Sequence, residues 1–173
     1  SGKINFRREV FSSAPDQSLV MRITADKPGA VTFTARLSRP GNKALIKADG
    51  NLISMSEHTG NGNGVKLEAR LKILSESGTL SSGGDSIRIE KANSVVILLT
   101  AATDYFAPDP ASLALERLEK VSARPFADIK NDHVADYKSY FNRLSIDLGS
   151  SDGNYFTTDA RIAAMQNGYH DTD

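Results

Sequence analysis

Three histidines, His58, His133 and His170, are the side chains best suited to move protons or bind a metal here, because the chain has no cysteine. A zinc site needs three or four ligands with at least one short local spacing, and these histidines are widely separated. His58 begins a glycine-rich loop, where a solvated turn residue is the favoured interpretation and a functional residue the alternative. His133 is predicted to lie on the packed face of a helix, one turn before Tyr137, with an interhelical hydrogen bond. With His170 close to the last residue, the sequence predicts no metal site and no cofactor.

The loop "HTGNGNG" at residues 58–64 has the glycine content of a phosphate-binding loop. It lacks the Lys-Ser/Thr pair that would reach phosphate and magnesium, and no helical pattern follows it. A hairpin loop is therefore the favoured interpretation, and a role at the edge of a substrate pocket is the alternative. No G-x-S-x-G motif places a serine on a strand-to-helix elbow.

Carboxylates that could work as a general acid and base are scattered along the chain. Asp104, which follows an apolar run and precedes Tyr105, is the leading candidate, although a structural role capping the following turn is favoured. Asp132 and Asp136 fall on the polar side of a predicted helix and are expected to be solvated charges. The sequence therefore predicts no catalytic residue within the chain.

Composition excludes two classes of partner. Lysine plus arginine number 21 and aspartate plus glutamate 21, so no net positive field would gather the phosphates of nucleic acid. The longest apolar run, "SVVILLT" at residues 94–100, is far shorter than the roughly 20 residues of a membrane span. The chain opens with Ser1-Gly2-Lys3 directly before a strand pattern and stops just after a helical one, so we expect a fragment of a longer protein.

Apolar residues recur with a period of two from Phe6 to about Thr103. In "GVKLEARLKIL", every second residue is apolar, which predicts an antiparallel strand with one solvent-facing side. The apolar face holds Val65, Leu67, Ala69, Leu71 and Ile73, and the opposite face holds Lys66, Glu68, Arg70 and Lys72. "AVTFTARLS" alternates in the same way, whereas "SVVILLT" does not and indicates a strand covered on both faces. Glycine, asparagine, aspartate and proline separate the runs, as in "SSAPDQ", "SRPGN", "KADGN" and "SSGGD". In "SSAPDQ", Asp16 is expected to bond backbone amides.

The period changes to 3.6 at Asp109, which is predicted to cap a helix that has Pro110 at its first position. The apolar face of this helix is expected to hold Ala111, Ala114, Leu115, Leu118 and Val121. A second helix is predicted from about Pro125, with its apolar side formed by Phe126, Ile129, His133, Tyr137, Tyr140, Phe141 and Leu144. A short strand, "SIDL", a polar link, "GSSDGN", and a third helix capped by Thr158 and running through Ile162 and Met165 are predicted to follow.

These patterns predict a mainly β protein, an antiparallel β-sandwich of the super-sandwich kind followed by a helical connector and the start of an α-helical domain. The predicted boundaries are 3–106 for the sandwich, 107–149 for the connector with its short strand, and 150–173 for the truncated helical domain. A carbohydrate-binding module is the alternative function for such a sandwich. The absence of tryptophan, and the position of four of the five tyrosines outside the strand region, weaken that alternative.

A run of motifs in this chain resembles the N-terminal region of the family 95 glycoside hydrolases, the α-L-fucosidases. "REVFSSAPDQSLVMRITADKPGAVTFTARL" is similar to a family segment, and "GNGVKLEARLKIL", "VVILLTAATDYF" and "DHVADYKSYFNRLSIDLG" follow in the family's order. "FTTDARI" is similar to the segment that leads into the family's helical barrel. The likeness covers nearly the whole chain, and the ordered set of motifs carries it.

The resemblance implies a non-catalytic sandwich and linker that pack on an (α/α)₆ barrel, with the barrel holding the carboxylates for inverting hydrolysis beyond Asp173. The implied partners are the parent's own barrel and a glycan ending in α-L-fucose or α-L-galactose. It also implies a periplasmic or secreted enzyme, a sandwich that begins before the "REVF" strand, and no catalytic residue within this chain.

Overall fold

The computed structural model describes residues 3–41, 43–105, 107–147 and 156–168. The chain forms two compact units, residues 1–138 and 139–173. The described residues contain nine strands: β1 (Phe6–Ser13), β2 (Ser18–Ala25), β3 (Val31–Arg36), β4 (Leu45–Asp49), β5 (Leu52–His58), β6 (Lys66–Glu76), β7 (Thr79–Gly83), β8 (Ser86–Ala92) and β9 (Ser94–Thr103). Three helices follow: α1 (Pro110–Ser122), α2 (Phe126–Phe141) and α3 (Thr158–Gln166).

Two antiparallel sheets face each other across an apolar core, which confirms the predicted sandwich. The larger sheet has the strand order β1-β2-β9-β6-β5-β4, and the smaller one has the order β3-β8-β7. Both sheets contribute to the core, which includes Val31, Ile53, Ile73, Ile87, Ile89 and Val95. The alternating runs supply it because every second side chain of a strand points to the same face.

β9 is one of the two central strands of the larger sheet, beside β6, and its apolar run is covered on both faces, as predicted. Val95 points into the core between the sheets, whereas Leu98 points to the opposite face, where helices α1 and α2 cover the sheet. Both residues are fully buried. A strand with no solvent face gains stability from apolar residues at every position.

The two sheets are linked by one two-stranded ribbon that bends at a corner. Glu76 of β6 pairs with Ser94 of β9 in the larger sheet, and Thr79 of β7 pairs with Glu90 of β8 in the smaller one. The chain therefore crosses between sheets twice at the same place, through residues 77–78 and through Asn93. Backbone φ is positive at Ser77, Gly78 and Lys91, which supplies the sharp bend.

One predicted solvent face is wrong. The polar side of β6 is covered by α1, so Glu68 is only 6% exposed, and Arg70 and Lys72 are partly buried. Lys72 Nζ donates to Ser122 Oγ of α1 at 3.1 Å. Alternation locates the two faces of a strand, but it does not say whether a later element of the chain covers the polar one.

The helical segment departs from prediction at three points. The second helix ends at Phe141, so Leu144 lies beyond it and is 73% exposed. Residues 145–147 of the predicted strand "SIDL" are not in a strand, and its last residue lies outside the described residues, as do the polar link and His170. Thr157, not Thr158, is the N-cap residue of α3, a one-residue shift of the kind common at helix ends.

Candidate functional site

The predicted site residues in and beside the loop after β5 make local structural bonds. His58 is the last residue of β5, and its Nε2 lies 3.1 Å from the Gly64 carbonyl oxygen across the loop. Asp104 Oδ1 accepts a hydrogen bond from the Lys66 backbone N–H at 2.9 Å, and the Asp104 N–H donates to the Lys66 carbonyl at 3.0 Å. Asp104 therefore joins the start of β6 to the end of β9, and no hydrogen bond from its side chain to the following turn is present among the described residues. Tyr105 beside it is 76% exposed.

A cleft of about 530 Å³ lies beside this loop and the first turn of α1. Its lining combines exposed Leu45 with several polar side chains, namely Lys43, Glu57, His58, Lys66, Glu68 and Asp109. Two of the carboxylates are already committed. Glu57 pairs with Arg39 at 2.9 Å, and Asp109 accepts two backbone N–H groups of α1 as its N-cap. Hydrogen bonds from Ser112 lower the pKa of Asp109, so this cap stays ionised.

Glu68 is the buried carboxylate of the cleft. Its Oε1 lies 2.8 Å from Arg70 Nε, and the contact is a charge pair without hydrogen-bond geometry, since that N–H has no acceptor among the described residues. Burial raises the pKa of Glu68, and the negative charge of Asp109 raises it further, whereas Arg70 opposes both. The folded protein therefore holds a proton on Glu68 more tightly than the unfolded chain does.

Glu68→Gln is expected to raise the free energy of unfolding at pH 7. A pKa that is higher in the folded state contributes stability below the unfolded value and loses it as pH rises through the folded value. Glutamine keeps the shape and has no charge to bury, so the gain should vanish in acid, where wild-type Glu68 is protonated in both states. Urea unfolding of both proteins at pH 7 and in acid measures this.

Glu119→Gln is the matched control, because Glu119 is an exposed carboxylate on α1. It should change stability little at either pH. A Glu68→Gln protein that is less stable than wild type at pH 7 would show that the Arg70 pair outweighs the burial of the charge.

The second candidate region is the face of the larger sheet that helices α1 and α2 cover. Val20 and Leu98 of the sheet pack with Leu118 and Val121 of α1 and with Ile129 of α2. All five are at most 1% exposed. The predicted apolar faces are confirmed at Leu118, Val121 and Ile129, which attach both helices to the sandwich. They are wrong at other predicted members, which are exposed: Leu115, Tyr137, Tyr140 and Phe141.

His133 belongs to this packed face, but its contacts are aromatic. Its ring stacks on Phe11 of β1 with centroids 4.8 Å apart and is tilted against Tyr137 at 6.3 Å. No interhelical hydrogen bond of His133 is present among the described residues, so that detail of the prediction is wrong. Phe126 completes the row, 5.8 Å from Phe11 and beneath the Arg22 guanidinium.

Arg124 connects the β1–β2 turn to α2 through two carboxylates. Its Nη1 donates to Asp16 Oδ1 at 2.5 Å, and its Nη2 donates to Asp132. Both hydrogen bonds raise the pKa of Arg124, and the bond to Asp132 has the larger effect. Asp16 therefore accepts a guanidinium and the Ser13 hydroxyl, where backbone amides were expected, and Asp132 is ion-paired, not simply solvated. A second ion pair joins Lys130 Nζ of α2 to Glu9 of β1 at 2.6 Å.

Sequence reasoning missed these ion pairs because their partners lie far apart in the chain. Asp16 and Arg124 are separated by 108 positions, and Glu9 and Lys130 by 121. The only available signal was that Glu9 and Asp16 both fall within the "REVFSSAPDQ" motif. No local rule states which later cation a turn carboxylate will meet.

No group of three or more histidine, aspartate or glutamate side chains that could hold a metal occurs in the part of the chain that the structure describes. Within the same part, no helix is both long and apolar enough to cross a membrane. The ionisable groups described above are engaged in caps, strand ends and ion pairs.

Comparison with known families identifies the sandwich. Residues 1–108 match the N-terminal domain of glycosyl hydrolase family 65. The chain belongs to this family. A second family, the glycosyl hydrolase family 95 catalytic domain, matches residues 125–173. The second match begins directly after Arg124 and contains α2 and α3.

The chain is similar to two curated proteins named as fucosidases, which confirms the resemblance inferred from its motifs. It is 28% identical to "Alpha-L-fucosidase 2" of Arabidopsis thaliana and 23% identical to "Probable alpha-fucosidase A" of Aspergillus niger. Each alignment covers 88% of this chain, and the chain spans 22% of the length of each relative. A solved structure, "Putative kojibiose phosphorylase from human microbiome", shares the fold with a TM-score of 0.51 and 14% identity, over 82% of this chain and 22% of that one.

Arg124→Ala is expected to destabilise this N-terminal domain. It would leave the Asp16 side chain, which is 6% exposed, with the Ser13 hydroxyl but without its cation. Lys120→Ala is the matched control, because its ion pair with Glu116 lies on the exposed surface of α1 and should contribute little. Thermal unfolding of both variants measures the difference, and an equal, small effect would show that the Arg124 pairs are dispensable.

Proposed function

We propose that this chain is the non-catalytic N-terminal region of a glycoside hydrolase that releases terminal α-L-fucose, or the similarly configured L-galactose, by inverting hydrolysis. In this proposal the catalytic carboxylates belong to an (α/α)₆ barrel beyond Asp173, and residues 1–173 act as its scaffold. The two fucosidase relatives support the substrate class. The enzyme would be secreted or periplasmic, where glycans are accessible.

The observation that carries the scaffold role is the position of α2 on the sandwich. This helix lies within the family 95 match, yet Ile129 in its first half is 1% exposed in a core shared with the sheet. Arg124 and Lys130 add ion pairs to strand or turn carboxylates at the same place. A helix so attached provides a fixed starting point for the domain that follows it.

The second half of α2 supplies a surface for that domain. Tyr137 is 54% exposed, Tyr140 65% and Phe141 63%. Exposed aromatic residues in a row on one helix are typical of surfaces that bind another protein surface. The proposed partner is the remainder of the catalytic barrel.

The test of the proposed function is hydrolysis of an aryl α-L-fucoside by the 173-residue chain and by the protein extended to its natural termini. Activity in the longer protein alone is the expected result. Activity in the 173-residue chain would overturn the scaffold role and direct attention to Asp104. If both proteins are inactive on fucosides and galactosides, the proposed substrate class is wrong.

Tyr137→Ala and Phe141→Ala are expected to lower the unfolding temperature of the natural-length enzyme, because each removes aromatic area from the proposed contact with the barrel. Leu45→Ala, at a 73% exposed position on β4, is the control and should have little effect. Differential scanning calorimetry measures all three. Unchanged stability in both aromatic variants would contradict the proposed contact.

A carbohydrate-binding module is the second candidate function, favoured by the cleft beside the 58–64 loop and by the exposed ring of Tyr105. It predicts that the 173-residue chain binds fucosylated oligosaccharides by itself. Titration calorimetry with wild type and Tyr105→Ala distinguishes this candidate from a scaffold, which would show no binding.

A further inference from the structure

Strand β9 runs past the end of its neighbour β2, so part of one β9 edge has no strand beside it. β2 begins at Ser18, and the register between the two strands ends with the pair of Leu19 and Leu99. β6 continues along the other edge of β9 as far as Thr103. Residues 100–103 are therefore paired with a strand on one side alone.

The backbone of this edge presents hydrogen-bond donors. The Asp104 N–H donates to the Lys66 carbonyl of β6, and the bonding groups of an antiparallel strand alternate between its two edges. The N–H and C=O groups of Ala101 and Thr103 therefore point away from β6. Arg117 of α1 occupies one of them, because its Nη1 donates to the Ala101 carbonyl oxygen at 3.0 Å. Among the described residues, the two N–H groups are left as donors along this edge.

Two adjoining clefts, of about 430 and 450 Å³, lie at this edge. Gln17, Ala101 and Arg117 line both of them, and Leu113 of α1 adds an apolar side chain to the second. Each cleft has the volume of a small-ligand site. A ligand lying across both would contact the open edge of β9 and the Arg117 guanidinium together.

Hydroxyl groups form one wall of the first cleft. They belong to Ser12, Ser13, Ser18 and Thr100. The Ser13 and Thr100 hydroxyls already donate within the protein, so their oxygens offer acceptors alone. Ser18 is 4% exposed, and its Oγ has no hydrogen-bond partner among the described residues. Because polar atoms without partners cost free energy, this wall favours a ligand that carries hydroxyl groups of its own.

Arg117 supplies the charge of the two clefts. Within the described residues it is the one charged side chain that lines them, and it has no ion pair there. The adjacent carboxylate, Glu116, pairs with Lys120, and Arg117 itself is half-buried. A guanidinium binds a carboxylate through two parallel N–H groups. One positive charge also matches a carboxylate better than it matches a doubly charged phosphate.

An added peptide strand fits this edge poorly. Strand addition takes its affinity from a run of main-chain hydrogen bonds. Here two residues, Ala101 and Thr103, present outward backbone groups before β9 ends, and the Ala101 carbonyl is already bonded to Arg117. The edge therefore suits a compact ligand that needs one or two backbone donors.

We propose that the two clefts bind a carboxylate-bearing sugar residue, a uronic acid. Its carboxylate lies on Arg117 and on one of the two β9 N–H groups, and its ring hydroxyls lie against the hydroxyl wall. The site would hold the parent enzyme on acidic glycans. The choice of a sugar rests on the proposed function, whereas the requirement for a carboxylate follows from the clefts alone.

A titration of the ¹⁵N-labelled 173-residue chain with three compounds, followed by nuclear magnetic resonance, tests the proposal. D-glucuronate carries both the ring and the carboxylate, D-glucose the ring alone, and acetate the carboxylate alone. We expect glucuronate to shift the amide signals of Ala101 and Thr103. Glucose and acetate should each bind at least about tenfold more weakly, because each lacks one set of the proposed contacts.

Substitutions on α1 assign the charge. Arg117→Gln should weaken glucuronate binding at least about tenfold, because it removes the charge-assisted hydrogen bonds. Lys120→Gln, one turn further along the exposed side of α1, is the matched control and should leave binding unchanged. Arg117→Lys keeps the charge and a donor for the Ala101 carbonyl but loses the planar fork, so an intermediate loss is expected without a change of fold.

Each contrary result removes a stated part of the inference. Equal binding of glucose and glucuronate, or unchanged binding by Arg117→Gln, overturns the role of Arg117. Equal binding of acetate overturns the sugar, and no shift of either amide overturns the site. The proposed function fails separately. A natural-length protein that binds glucuronate but hydrolyses no fucoside contradicts the hydrolase alone, whereas fucoside hydrolysis without glucuronate binding contradicts this inference alone.

Discussion

Ile129→Ala is expected to lower the free energy of unfolding by about 2–5 kcal/mol, the usual range for a large-to-small change in a core. Ile129 is 1% exposed and packs with Leu98 of β9 and Leu118 of α1. Truncation removes apolar contact from both sides of this layer and leaves a cavity that two helices and a sheet cannot easily close. Urea unfolding of the 173-residue chain, followed by circular dichroism, measures the loss.

Val134→Ala is the matched control on the same helix, because Val134 is 37% exposed. It should cost much less, since most of its lost area already faces water. In the natural-length protein, Ile129→Ala is also expected to loosen the attachment of α2 to the sandwich. An Ile129→Ala effect no larger than that of Val134→Ala would show that α2 does not depend on the sheet, and the scaffold proposal would lose its main support.

Gly78→Ala is expected to cost about 3 kcal/mol or more, because a strained backbone conformation and a collision combine there. Gly78 has φ +77°, and a Cβ atom built on it would lie 2.3 Å from the Glu90 carbonyl oxygen and 2.7 Å from the Ala92 nitrogen. Both atoms are backbone at the corner of the β8–β9 crossing, so neither can move without opening the ribbon that joins the sheets. A lower denaturation midpoint at an unchanged slope is the expected measurement.

Gly50→Ala separates the two causes. Gly50 has φ +56° in the β4–β5 turn, and a Cβ atom added to it would meet nothing within 4 Å, so only the conformational cost of about 1 kcal/mol applies. A Gly78→Ala variant no less stable than Gly50→Ala would mean that the corner relaxes freely.

Much of the strand content could be predicted because its cause is local. The predicted alternation of β3 is present in the structure. Val31, Phe33 and Ala35 are buried or half-buried, whereas Thr32 and Thr34 are exposed. The loops rich in glycine and asparagine fall where β4 turns into β5 and β5 into β6. Asp109 and Pro110 begin α1 as predicted, because capping depends on neighbouring residues alone.

The ionic contacts could not be predicted because each depends on packing between distant segments. Glu68 looks like a solvated charge in the sequence, and it becomes a buried one because α1 lies over β6. Asp16 has a good local use in its turn, yet its strongest contact is Arg124. The candidate site could be predicted only in part for the same reason. His58 and the glycine-rich loop are close along the chain, and Asp104 meets Lys66 at the end of a strand pair. The alternation predicts Glu68 as solvent-facing, so its place in the cleft could not be predicted.

The sequence by itself determined that this protein is mainly β with helices after it, since side-chain periodicity of two and of 3.6 is a property of each segment. It also determined the likeness to the family 95 enzymes, through motifs in order. Only the tertiary structure decided how nine strands divide into sheets of six and three, because a turn signal such as Ser77-Gly78 does not say whether the chain stays in one sheet or crosses to the other. It alone decided that helices cover one face of the larger sheet and that the β3 edge stays open, since burial depends on which surfaces meet.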